Sequence, residues 1–159
     1  MKLFLLLLAL CTIALANTVA KRVVAVKGTL VCGGKPAANV KVRLFRVKQT
    51  KSDDLNQILD ESLTGPSGMF EVEGNTNGFP LNETDITPTV SFYHSCDEDA
   101  AKVTKNGYRK FDYNVPYDYV TLGQKAKKTF DIGTMNLQVL FPGEKHDKKF
   151  VERNAPKKQ

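Results

Sequence analysis

An all-β fold, a two-sheet antiparallel sandwich of seven to eight strands, follows from three observations on this 159-residue chain. Apolar side chains recur with period two in short segments, as they do in strands that bury one face. Gly, Pro and Asn turn signals separate those segments. No stretch of a dozen residues sustains a 3.6-residue apolar period, so helices contribute little.

The segments run in order along the chain. Val24, Val26, Gly28, Leu30 and Cys32 share one parity, and Val40, Val42 and Leu44 alternate with Lys41 and Arg43. Phe70 and Val72 alternate with Glu71 and Glu73, and Val90, Phe92, His94 and Cys96 with Thr89, Ser91, Tyr93 and Ser95. Phe111, Tyr113 and Val115 follow with polar Asp112 and Asn114 between them. The punctuation is Gly33-Gly34-Lys35-Pro36, Gly65-Pro66-Ser67-Gly68, Asn77-Gly78, Asn106-Gly107 and Val115-Pro116. In Phe130–Leu137 the apolar parity switches after Gly133, which predicts a β-bulge there.

Residues 1–16 have the layout of a secretory signal peptide: Lys2, an apolar run from Leu3 to Leu10, and the small-residue site Ala14-Leu15-Ala16. The run is too short to span a bilayer, so no transmembrane segment is expected. Cleavage after Ala16 removes Cys11 and leaves two cysteines, Cys32 and Cys96, in an oxidising compartment. Removing Lys2 leaves 22 basic against 17 acidic side chains, a net charge of +5. That balance favours anionic partners outside the cell, and no nucleic-acid module is recognisable. Residues 17–142 form the sandwich domain, and residues 143–159 read as a basic, flexible tail with little to bury.

The ordered set Val26-Lys27-Gly28-Thr29-Leu30-Val31-Cys32, Lys35-Pro36, Asn39–Leu44, Gly68–Gly74, Pro88–Cys96 and Phe130–Leu137 resembles the secreted transthyretin-like family of nematodes. The resemblance spans residues 23 to about 141. It implies a transthyretin (prealbumin)-like sandwich and an extracellular location. It does not imply hormone transport. Members implicated in binding exposed anionic lipid on dying cells supply a precedent for docking.

Cys32 closes the first strand and Cys96 the fifth, both with inward parity, so a Cys32–Cys96 disulfide is expected. The alternative is a metal or redox site using His94 and the two sulfurs, although a closed zinc site wants a fourth ligand. His94 shares the inward phase of Val90 and Phe92, which predicts a core histidine held by a backbone hydrogen bond. His146, in the basic tail, is expected to be solvated.

Strict alternation of strand direction sorts the loops between two ends. It places Lys35, Lys102, Lys105, Lys125, Lys127 and Lys128 at the disulfide end, with Arg109 just inside the sixth strand and Asp97, Glu98 and Asp99 nearby. The first five of these outside the hairpin (Lys102, Lys105, Lys125, Lys127, Lys128) form the expected binding surface for anionic phospholipid or a cell-surface receptor. The acidic trio could hold calcium, though its spacing lacks the EF-hand pattern. Asn82-Glu83-Thr84 is the sequon, at the opposite end, with Asn82 the expected glycosylation site and an unused sequon the competing reading.

Catalysis finds no support in the motifs. There is no G-x-S-x-G, H-E-x-x-H or phosphate-binding Gly-rich loop, and no histidine–carboxylate constellation is expected with His94 inside and His146 in a tail. The related hydrolases of 5-hydroxyisourate end in Tyr-Arg-Gly-Ser, whereas this chain ends Pro156-Lys157-Lys158-Gln159. The expectation is therefore a secreted, non-enzymatic binding or adaptor protein that needs no cofactor or metal. A carrier of a small apolar ligand at an oligomer interface, and a structural domain without a dedicated ligand, are the alternatives.

Overall fold

The computed structural model describes residues 21–50 and 52–152. The expected signal peptide at 1–16 and the last seven residues lie outside them. Among the described residues ten strands form two five-stranded sheets. Seven of the strands are five residues or longer: β1 (Arg22–Cys32), β3 (Lys41–Phe45), β4 (Ile58–Leu63), β5 (Met69–Asn75), β6 (Thr89–His94), β7 (Tyr108–Asn114) and β9 (Thr129–Asn136). Three are short: β2 (Lys35–Pro36), β8 (Thr121–Leu122) and β10 (Lys145–Asp147). Among the described residues one α-helix, α1 (Ala100–Asn106), links β6 to β7.

In the first sheet β1 is central, with β5 and β2 along one edge and β9 and β8 along the other. The second sheet runs β10-β7-β6-β3-β4 and is antiparallel throughout. The period-two residues face each other across the gap. Val24, Val26, Leu30, Phe70 and Val72 from the first sheet pack on Val42, Leu44, Val90, Phe92 and Phe111 from the second. Phe92 meets Phe70 edge-on at 5.4 Å and stacks on Phe111 at 5.0 Å, which in turn stacks on Phe141 at 4.1 Å. Burial of this set supplies the main driving force for folding.

The bulge expected at Gly133 is present. Lys27 pairs with Asp131 and Thr29 with Thr134, so Ile132 and Gly133 together oppose Gly28. Gly133 takes φ +73°, a conformation open to glycine at no steric cost.

Strand alternation fails at one place, and the failure moves a loop. β9 runs parallel to β1, the single parallel pairing among the described strands. After β7, the chain turns at Pro116, makes a single 3₁₀ turn over Tyr117–Tyr119, and contributes only Thr121 and Leu122 to the sheet, beside Arg22 and Val23. This stretch never crosses the sandwich, so β9 starts at the end where β7 finished. Strict alternation of strand direction needs a strand crossing the sandwich there, and without it β9 runs opposite to the expected direction.

The tail expectation is corrected too. Residues 143–152 do not hang free. β10 pairs with Tyr108, Arg109 and Lys110 of β7, and Phe150 packs between Tyr93 and Tyr108 with ring centroids 4.7 and 5.5 Å away. Gly107 makes this docking feasible: at φ +84° its bare Cα lies against the backbone of Asp147, and a Cβ would collide with the Asp147 carbonyl oxygen.

Candidate functional site

β1, β6 and β9 finish at one end of the sandwich, and there Cys32 and Cys96 form the disulfide, with their Cα atoms 5.7 Å apart. Both sulfurs are consumed in that bond, so the thiolates a soft metal needs are gone. His94 is buried (2% exposed) and its Nδ1 accepts a 3.3 Å bond from the Cys96 N–H, as the parity argument required. That bond assigns the neutral ring's proton to Nε2, which has no partner among the described residues. Burial, then the positive charge of Arg109, holds the His94 imidazole down to about 4.

A histidine–carboxylate pair does exist at this end, contrary to expectation. His146 Nε2 lies 2.7 Å from Glu98 Oε1, because β10 carries His146 back onto the sheet. Arg109 points inward rather than to the surface: Nε donates to Glu144, whose side chain is itself buried, and Nη1 donates to the Cys96 carbonyl at 3.2 Å. The acidic trio is divided among three tasks. Asp97 Oδ1 accepts from Gln138 Nε2 at 3.2 Å, Glu98 takes His146, and Asp99 caps α1 by accepting from the Lys102 N–H at 2.8 Å. The three carboxylates therefore do not converge on one point.

The structure splits the expected basic surface. Lys102 and Lys105 are exposed on α1 at the disulfide end, as is Lys35 in the hairpin. Lys125, Lys127 and Lys128 are exposed at the other end, in the loop that precedes β9. Parallel pairing of β9 with β1 puts that loop where β1 begins, and two bonds to side chains of β5 hold it there. Asn75 Nδ2 donates to the Gln124 carbonyl at 3.1 Å, and the Ala126 N–H donates to Glu73 Oε1 at 3.1 Å. Asn82 is exposed in the turn Leu81–Glu83 at this same end, as expected, and so shares it with these three lysines.

What replaces the expected surface is a different cluster. The Gly107 backbone rests on Asp147 and Lys148, which brings the C-terminus of α1 against β10. Lys102 and Lys145 line one hollow there, about 340 Å³ in volume. A second, of about 530 Å³, is lined by Lys145, Lys148 and Lys149 beside Asn106. Five exposed lysines thus gather where α1, β10 and the residues after it meet.

The outer face of the second sheet carries a polar core that the sequence did not announce. Lys41, Arg43, Tyr93, Tyr108 and Lys110 have the outward parity of β3, β6 and β7, yet Arg43, Tyr93 and Lys110 are 2%, 1% and 4% exposed. Asp53, from the loop between β3 and β4, bonds both the Lys110 ammonium and the Tyr93 hydroxyl. Burial, reinforced by Asp53, raises the Tyr93 pKa, so its hydroxyl stays protonated and donates. Arg43 pairs with Glu61 at 3.2 Å and donates to the Val151 carbonyl at 2.5 Å, with its guanidinium 4.2 Å from the Phe150 ring centroid. The one sequence cue was Phe150-Val151, an apolar pair in an otherwise charged tail.

The family model described as "TTR-52: Transthyretin-like family" matches residues 27–116, from within β1 to just past β7. The chain belongs to the transthyretin-like family. Transthyretin-like protein 46 of Caenorhabditis elegans is 39% identical over 146 residues, covering 92% of this chain and 75% of that protein. Transthyretin-like protein 33 of the same organism is 35% identical over 141 residues, covering 89% and 91%. Transthyretin-like protein 5 is 31% identical over 122 residues, covering 77% and 81%. In this transthyretin-like chain the disulfide, α1 and the Asp53–Lys110–Tyr93 cluster fall inside the span matched by the family model, whereas β10 and Phe150 lie beyond it. Among the described residues no helix is long and apolar enough to cross a membrane.

Proposed function

We propose that this transthyretin-like protein is a secreted, non-enzymatic binding module that docks on an anionic phospholipid surface through its disulfide end. The observation that carries the reading is the convergence of Lys102, Lys105, Lys145, Lys148 and Lys149 at the junction of α1 and β10, all of them exposed. The hydrogen bonds of the nearby carboxylates go to other groups than these ammonium groups: Asp99 and Asp147 accept backbone N–H groups, and Glu98 bonds His146. Lysine ammonium groups are compact, strongly hydrated charges, suited to a fluid headgroup layer rather than to one bidentate ligand. Each contributes about 1 kcal/mol near an anionic bilayer. The His146–Glu98 pair serves to fasten β10 to the segment between β6 and α1.

Charge reversal tests the reading. Lys145→Glu, Lys148→Glu and Lys149→Glu together lower affinity for phosphatidylserine vesicles by more than about tenfold, and binding weakens as salt rises. The same reversal at Lys125, Lys127 and Lys128 changes it by less than about twofold, because those side chains sit at the far end. A larger loss from the second triple would move the docking surface to that end. No binding of wild type to anionic vesicles would end the reading.

A further inference from the structure

We propose that the outer face of the second sheet is a docking site for an extended peptide segment of a partner protein, one with an aromatic residue followed two positions later by an acidic one, and that Phe150–Glu152 of the chain itself occupies this site as a displaceable strap. Three features carry the assignment. The face is built for recognition rather than for a permanent core. A sheet face meant to stay covered is normally apolar, and burying paired charges instead adds little net stability. Here Arg43, Tyr93 and Lys110 are buried, and Lys41 and Tyr108 are half-buried.

The strap shows the chemistry that fits. The Phe150 ring sits between Tyr93 and Tyr108, with the Arg43 guanidinium at 4.2 Å and the Lys41 ammonium at 5.2 Å from its centroid. The next carbonyl, of Val151, accepts from Arg43 Nη2. The Glu152 carboxylate pairs with Lys41. Aromatic, backbone carbonyl and carboxylate each meet a cation, so the site reads a short sequence in extended form.

The strap is also weakly held. Val151 is 58% exposed, the Glu152 side chain is 71% exposed, and beside the strap lies the hollow of about 530 Å³. One aromatic anchor, one hydrogen bond from Arg43 and an exposed ion pair make a hold that a tighter-binding segment can displace. Tethering gives the strap an effective concentration on the order of millimolar. A partner segment displaces it by binding more tightly than the strap does. The site faces away from the sandwich core and its recognition does not depend on lipid.

The test uses the full-length oxidised protein and a synthetic acetylated peptide with the sequence of residues 148–152, followed by amide chemical shifts. Phe150→Ala empties the aromatic slot, and the peptide then binds at least about tenfold more tightly than it binds wild type, as loss of an anchoring aromatic implies. The shifts cluster at Lys41, Arg43, Tyr93 and Tyr108. A peptide carrying Ala in place of Phe does not bind. Glu152→Lys, at an exposed position that leaves the fold intact, loosens the strap alone and raises peptide affinity about threefold. If Phe150→Ala fails to fold, this second variant decides. Equal peptide affinity for wild type and Glu152→Lys, or shifts away from these four residues, overturns the proposal. Concentration-dependent dimerisation of wild type that is lost in Glu152→Lys would make a second copy the occupant and overturn it as well.

Discussion

Asp53→Ala should be among the most destabilising single substitutions on the surface loops of this protein. The Lys110 side chain is 5% exposed and that of Asp53 is 9% exposed, so the pair is shielded from water on both sides. Removing one partner of such a pair costs about 3–5 kcal/mol, because the surviving charge is stranded. Two local facts adjust that figure in opposite directions. Asp112 stands 3.6 Å from the Lys110 ammonium and recovers part of the loss. The Tyr93 hydroxyl, however, loses its acceptor, and an orphaned buried donor costs about 1–3 kcal/mol. The net expectation is about 3 kcal/mol, or about 10 °C in melting temperature for a domain of this size. Urea unfolding of the oxidised protein measures it. A double variant, Asp53→Leu with Lys110→Met, removes both charges and should recover most of the loss, since apolar replacement of a whole buried pair is often close to neutral. A loss below about 0.5 kcal/mol for Asp53→Ala would place the pair in solvent and refute the reasoning.

Two further outcomes follow from the disulfide end. Burial and Arg109 hold His94 at about 4, against about 6.5 for an unfolded histidine. The unfolded chain therefore takes up a proton first, so stability is intact above pH 6.5 and is lost as pH falls toward 4, by about 2–3 kcal/mol at pH 4.5. His94→Leu should flatten that part of the profile, and unchanged steepness between pH 7 and 4.5 would contradict the assignment. Cys32→Ala with Cys96→Ala opens a crosslink of sequence separation 64 and should cost about 4 kcal/mol in urea unfolding. A cost under about 1 kcal/mol would mean that the end is held by the β6–β7 packing alone.

Much of the fold was legible because most long strands write their own buried face, β4 with its unpatterned burial being an exception. Val42 and Leu44, or Val90 and Phe92, point inward by parity, and no distant residue needs to be known to say so. The Gly133 bulge was legible for the same reason, as a local break in parity. The direction of β9 was not. Val120 and Leu122 look like part of a strand, but Pro116 and the turn after it hold that segment at one end, and only pairing with β1 reveals this. The docked tail was hidden for a related reason. Its contacts run from Phe150 to Tyr93 and Tyr108, and from Val151 to Arg43, and nothing in residues 143–152 alone shows a strand or helix period. The disulfide pairing was readable from two inward cysteines at strand ends. The lysine cluster was half readable, since Lys102 and Lys105 were placed correctly and Lys125, Lys127 and Lys128 were not.

The most direct test of the docking account is to map the membrane-facing surface of the wild-type protein. Isotope-labelled protein is titrated with lipid nanodiscs, with and without phosphatidylserine, while amide line broadening is recorded residue by residue. The account predicts broadening confined to phosphatidylserine discs and centred on Lys102, Lys105, Lys145, Lys148 and Lys149, while the 123–128 loop and Asn82 stay sharp. Broadening centred on Lys125, Lys127 and Lys128, or equal broadening with neutral discs, would contradict it.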